Sequence, residues 1–362
     1  MRRVHVLSDD FASPNGLALL FPLVLNRRAL KAHGVDLRIL AAPGPELTQC
    51  DTLIVDSKVF RDHWGDGRAT QALDTLASWA ERTPTLFFDT TDSTGWVNAA
   101  VLPLVRGYYK NQALKDRSLY AQSLYGGRAH TDYAHGVQGI TDEAPGPSWP
   151  PADPALAERI RVSWNSGFAD YSFQGLYRSR LYRRLRLPGL LKPPGRFVAP
   201  GVDRPVAVSA RMSTRYSRAT VAWQRLEATR LLGDRVATDR LSRRDYLREM
   251  ESSRVIVSPF GFGEINYRDW ECFLSGALLI KPDCSHMETW PNLFRGNETI
   301  LCHHWSCADL PELVERALTD YPRYVEIARQ GQADYRRAVA SAEGRLAFRE
   351  RFAAIIADAI SC

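Results

Sequence analysis

Apolar residues recur over the first hundred positions in two alternating rhythms. Short β-rich runs, Val4 to Leu7, Val35 to Leu40, Thr52 to Asp56 and Thr85 to Asp89, read as strands. Between them lie stretches with apolar positions at helical spacing. Leu17, Leu20, Val24 and Leu30 fall mostly on one face, and His33-Gly34 supplies a glycine stop. Leu73, Leu76, Ala77 and Ala80 mark another helix, and Pro84 separates it from the next strand. Alternation at this spacing predicts a parallel, doubly wound sheet. In such a sheet ligands bind at the carboxyl ends of the strands. Those ends carry Ser8-Asp9-Asp10, Asp56-Ser57-Lys58 and Asp89-Thr90-Thr91-Asp92.

The rhythm pauses at a proline-rich break over 145–154, continues with a strand from Arg161 to Trp164, and pauses again. Between Arg178 and Gly195 five arginines are followed by Pro188, Pro193 and Pro194, which places the hinge there. It then restarts. Val206 to Ser209 is a strand, Thr220 to Leu232 a helix stopped by Gly233, and Ser242 with Asp245 an N-cap motif for a segment through Met250. Arg254 to Ser258 and Ala277 to Lys281 are buried-strand runs, and two helical patterns, 311–340 and 342–360, finish the chain. The chain therefore divides into 1–195, 196–340 and a terminal helix over 341–362 that packs back on the first domain.

The most informative stretch runs from Ser258 to Ile280, SPFGFGEINYRDWECFLSGALLI. A strand empties into a loop with Gly261, Phe262 and Gly263, a short helix follows, and a second strand begins at Ala277. Glycines let a backbone approach a ligand closely, and a helix start offers N–H groups suited to phosphate. Arg268 and Glu271 lie one turn apart and can face one cleft. A carboxylate there is a natural acceptor for two ribose hydroxyls, so the stretch reads as a nucleotide site. A bland turn in an α/β protein is the competing account.

This order of residues resembles the donor-binding element of GT-B glycosyltransferases, including the exostosin-like and glycogen-synthase-like groups. The resemblance implies an α/β fold of GT-B architecture, with two Rossmann-like doubly wound parallel-sheet domains facing a cleft. It implies that the loop glycines meet a donor diphosphate and that Glu271 holds the ribose. Many retaining members place two glutamates eight positions apart. Here Glu264 and Glu271 are seven apart, which leaves open both a direct role for Glu264 and the choice between retention and inversion.

Other candidates follow from chemistry. Arg211 and Arg215, in a Ser/Thr-rich loop after a strand, suit donor phosphates through the guanidinium fork. Asp89 or Asp92, at a strand end of the first domain, is a candidate base for an acceptor hydroxyl, and His130 or His135 an alternative. Lys110, Arg117 and His130, among the tyrosines of 106–135, are candidates for an acceptor surface. In each case a structural role competes. The segment from Arg178 to Leu187, a short basic amphipathic patch, is either an interdomain helix or a surface for an anionic bilayer. Cys284, His286, Cys302, His303, His304 and Cys307 match no standard zinc spacing.

Composition narrows the classes. With 362 residues, 45% of them hydrophobic and 24% charged, the chain can bury two substantial cores. A formal charge of +6 and a pI of about 9.0 favour an anionic partner. No apolar run is long enough to cross a membrane, the start lacks a signal-peptide pattern, and six scattered cysteines fit a reducing compartment. The expectation is a cytoplasmic glycosyltransferase, peripheral on the inner membrane face. It would take a nucleotide-sugar donor and a glycan or lipid-linked acceptor, in bacterial surface polysaccharide synthesis. It would need neither cofactor nor divalent metal, because arginines neutralise the leaving group. A catalytically silent sugar- or nucleotide-binding module and a basic nucleic-acid-binding protein are the alternatives. No nucleic-acid-binding signature is present.

Overall fold

The computed structural model describes residues 1–8, 11–64, 67–144 and 150–361. Asp9, Asp10, Gly65, Asp66, the first half of the proline-rich break (145–149) and Cys362 lie outside the described residues.

The first half builds a six-stranded sheet. Its strands are β1 (Arg2–Leu7), β2 (Val35–Leu40), β3 (Thr52–Asp56), β4 (Thr85–Asp89), β5 (Gly107–Lys110) and β7 (Ile160–Val162), in the order β2-β1-β3-β4-β5-β7 and all parallel. β3 and β4 are buried at every position, as strands covered on both faces must be. Helices α1 (Pro14–Ala32), α2 (Ala69–Ala80), α3 (Ala129–Gly136), α4 (Pro154–Ala157) and α5 (Phe173–Leu185) belong to this half. The second half repeats the scheme with β8 (Val206–Ser209), β9 (Ser253–Val257), β10 (Leu278–Pro282) and β12 (Leu301–His303), parallel in the order β12-β10-β9-β8. Its helices are α6 (Ala219–Leu232), α7 (Arg243–Ser252), α8 (Tyr267–Ser275), α9 (Leu310–Thr319) and α10 (Tyr321–Ala340). The predicted two parallel-sheet α/β lobes are thus present. The strands predicted at 52–56, 85–89 and 206–209 have the predicted bounds, and Gly233, at φ 54°, ends α6 as expected.

Three features depart from the sequence reading. The helical pattern 311–340 is two helices broken at Asp320, because Pro322 cannot donate into a continuing ladder and starts a new first turn. Segment 107–110, read as part of a polar aromatic surface, is the fully buried strand β5. Its polar residues survive there because Lys110 and Tyr108 bond to Asp89 on the neighbouring strand. A short ladder was also not anticipated. β6 (Gln112–Leu114) of the first lobe pairs antiparallel with β11 (Met287–Thr289) of the second.

The last helix, α11 (Ala342–Ser361), returns to the first lobe. Phe348 and Phe352 pack on Trp164, with ring centroids 5.1 and 6.1 Å away, and Arg351 donates to the Val162 and Ser163 carbonyls. α1 lies against α11, which is why all of Gly16–Val24 is buried rather than one stripe.

Candidate active site: an arginine hollow beside an interlobe latch

Two hollows flank α7, at the junction of the second sheet with the first lobe. One, of about 740 Å³, is walled by the loop after β8 (Arg211 to Arg215), by Thr238 to Leu241, and by Arg243 and Tyr246 on α7. The other, of about 730 Å³, lies between α7, the start of α5 and the linker, with Glu271 in its wall.

The first hollow gathers cations because β8 ends at Ser209 and releases its loop at the carboxyl edge of the sheet, while Ser242 caps α7 and sets Arg243 in its first turn. Arg211 is held in place by a bidentate pair with Glu249 (2.8 to 3.1 Å). Arg243 donates to the Tyr171 carbonyl at 2.9 Å and pairs with Glu271 Oε1 at 2.6 Å. Arg268 donates to the Arg211 carbonyl. Its Nε and Nη1, and Nε of Arg243, are buried and have no protein partner. Arg243 lines the hollow and keeps a donor for an acceptor-rich ligand, whereas Arg268 does not line it. Nearby, Arg225 spans Phe260 O, Ser213 O and Asn266 Oδ1, and burial pulls its guanidinium down to about 10.

Glu271 is at the predicted helix but not open as predicted. Oε2 accepts from Tyr246 at 2.8 Å and Oε1 faces Arg243, so both oxygens are engaged. The carboxylate orients two residues of the arginine hollow. To meet ribose hydroxyls directly it would have to release them. The start of α8, expected to offer free amides, is closed by its own sequence. Asn266 and Asp269 form a capping box, and Asp269 also takes Ser258 Oγ at 2.6 Å and a buried ion pair with Lys281 at 2.9 Å. An acid at that position leaves the helix dipole satisfied without a ligand.

The glycine loop faces the first lobe. Arg128 donates to Phe262 O at 2.6 Å, and His130 Nε2 donates to Gly261 O at 3.0 Å. A side chain at Gly263 would overlap the Asp92 carbonyl. Glu264 is fully buried and accepts from Thr94 N at 3.0 Å and Thr94 Oγ1 at 2.6 Å, across the lobes. Burial works against its charge, but His130 and His286 beside it outweigh burial and hold its pKa well below the usual carboxylate range. Glu264 is therefore placed as a latch between lobes. His130 is part of the same latch rather than of an open acceptor surface.

The remaining candidates are dispersed. Asp89 is buried and takes Lys110 Nζ and Tyr108 OH, each at 2.8 Å. Burial raises its pKa, but the Lys110 charge more than offsets this and leaves it below the ordinary value. A carboxylate so occupied has no face from which to take a proton, and Lys110, wholly buried, cannot meet an acceptor. Asp89 as a base at a strand end and Lys110 as part of an acceptor surface both fail because β5 lies beside β4 and buries the two groups against each other. Arg117 bonds Ile160 O and pairs with Glu288 on β11 at 2.5 Å, which ties it to the interlobe ladder. His135 stacks on Tyr125 at 3.9 Å and bonds Ile140 O, a local role. Asp92 is the one first-lobe candidate whose carboxylate is substantially open, with 40% of the side chain exposed and Arg128 3.8 Å away.

Sequence reasoning missed Arg243, Tyr246, Arg268 as a partner of the Arg211 loop, and Thr94. A signal existed only for the first, the cation just after the Ser242 cap. Among the described residues no three His, Cys, Asp or Glu side chains are gathered as a metal site, the described cysteines are unpaired, and no helix is long and apolar enough to cross a membrane.

No family model matches the chain, and no curated protein matches it in sequence. Among solved structures, HepE from Anabaena in complex with UDP-glucose is similar at 11% identity, with 99% of this chain and 100% of that chain covered and a TM-score of 0.47. An α,α-trehalose-phosphate synthase (UDP-forming) from Burkholderia vietnamiensis is similar at 10% identity, with 99% and 100% covered and a TM-score of 0.46. Likeness this loose leaves the chemistry to be read from this chain's own residues.

Proposed function

We propose that the protein is a glycosyltransferase that draws its sugar from a nucleotide-sugar donor and passes it to a glycan or lipid-linked acceptor. The observation that carries this is the hollow at the carboxyl edge of the second sheet, where Arg211, Arg215, Arg240 and Arg243 meet around a space of about 740 Å³. That is the place where open parallel sheets bind ligands, and a cluster of guanidinium forks is the side-chain chemistry that grips a diphosphate.

In this reading Arg215 and Arg243 take the donor diphosphate, and Arg211, fixed by Glu249, shapes the loop that presents them. Glu271 keeps Arg243 aimed at the hollow. The acceptor hydroxyl attacks the anomeric carbon while the bond from that carbon to the diphosphate oxygen breaks. The arginines stabilise the charge that gathers on the leaving diphosphate. Asp92, at the carboxyl end of the first sheet and against Gly263, takes the acceptor proton. Asp89 and His135 are left out of this role by their hydrogen bonds.

The test is a thermal-shift screen of nucleoside mono- and diphosphates, followed by an assay for release of nucleoside diphosphate from nucleotide sugars. At least one diphosphate should raise the melting temperature more than its monophosphate, and Arg243→Ala should weaken that ligand by at least about ten-fold. That follows from the roughly 1.5–3 kcal/mol of one charge-assisted hydrogen bond. No stabilisation by any nucleotide, or an unchanged affinity in Arg243→Ala, would overturn the assignment.

A further inference from the structure

Helix α5 and the linker that follows carry a feature the proposed transfer does not use. From Tyr171 to Val202 the chain has seven arginines and lysines and no aspartate or glutamate. Gly175, Ser179 and Tyr182, at helical spacing, form the buried face of α5. The opposite stripe presents Phe173, Tyr177, Arg180 and Arg184, and the helix ends in exposed Leu185 and Leu187. The two aromatic residues are 58% and 64% exposed and the two leucines 52% and 57%, high for large apolar side chains. Arg186, in the left-handed conformation, turns the chain there and directs Leu187 and Pro188 outward from the helix end. Arg180, Arg183 and Arg184 make no ion pair among the described residues.

Behind this face lies the second hollow. The Phe173 end of α5 forms one wall, and the others bring Lys192, Arg244 and Arg248, the last paired with Asp245, together with Glu251 and Glu271, beside Leu247 and Leu274. An exposed stripe that alternates rings and leucines with unpaired guanidinium groups is chemically matched to a lipid–water boundary that bears phosphate. Apolar tips enter the acyl edge and arginines meet headgroups. Nucleic acid would call for the cations but not for the leucines.

We infer that the α5–linker face docks the protein on an anionic phospholipid surface. The site is separate from the arginine hollow across α7, so it stands or falls independently of the donor assignment.

Flotation of the full chain with vesicles tests this. Binding is expected to vesicles of phosphatidylcholine mixed equally with phosphatidylglycerol and not to phosphatidylcholine alone, and it should fall as salt rises. Each cation near such a surface is worth roughly a factor of five, so the Arg180→Ala, Arg183→Ala, Arg184→Ala triple variant should lose about 100-fold in partitioning. Leu185→Asp with Leu187→Asp should also abolish flotation. These side chains are exposed, and an unchanged circular dichroism spectrum and melting temperature would show that the variants are folded. Absence of binding, equal binding to both vesicle types, unchanged binding by either folded variant, or retention on duplex DNA without vesicle binding would each overturn the inference.

Discussion

Glu264 offers the sharpest test of how the two lobes are held. Glu264→Ala removes a carboxylate that is fully buried, accepts two hydrogen bonds from Thr94 and lies within 4 Å of His130 and His286. Breaking a buried charged contact on one side costs about 3–5 kcal/mol, because the abandoned partners remain desolvated. Thr94→Val deletes one of the two hydrogen bonds, worth roughly 1.5–3 kcal/mol to a charged acceptor. If the contact is direct, the double variant should be less destabilised than the sum of the singles by about that amount. Urea unfolding by circular dichroism measures all four corners of the cycle. The sign with pH is fixed. The folded pKa of Glu264 is depressed, so its stabilisation is present above the unfolded value of about 4.3 and is lost as pH falls further. The acid limb of stability below about pH 4.3 should therefore flatten in Glu264→Ala. A cost under about 1 kcal/mol, or a cycle additive within about 0.5 kcal/mol, would refute the latch.

Lys110→Met should destabilise by about 3–5 kcal/mol in urea unfolding, because Asp89 would keep its burial and lose its counter-charge. Asp92→Asn should lower turnover at least about 100-fold while nucleotide affinity, measured by calorimetry, stays unchanged; weakened nucleotide binding would assign Asp92 a different role. Gly276→Ala places a side chain at φ 70° against the Val198 carbonyl and Arg204, and a loss of about 1–3 kcal/mol is expected in thermal unfolding. Glu271→Gln keeps the shape but removes the charge that aims Arg243. It should weaken diphosphate binding less than Arg243→Ala does, and an equal or larger effect would favour direct ribose contact.

The sequence by itself determined the elements and their class. Strand runs at 4–7, 35–40, 52–56 and 85–89, each separated by a stretch of helical spacing, dictate parallel strands, because a helix between consecutive strands returns the chain to start the next strand in the same direction. The Ser242 cap and the Gly233 stop acted locally, within one turn of chain, and were legible for that reason. The tertiary structure decided which polar groups met. Asp89 and Lys110 are 21 positions apart and became a buried pair because β4 and β5 lie side by side. Glu264 found Thr94 across 170 positions, which turned a candidate donor-binding acid into a latch. Arg243 and Glu271 converge because α7 and α8 pack together. Local propensity is written in neighbouring residues. The partners of a buried charge are set by the distant chain that excludes water from it, and no short-range pattern encodes that.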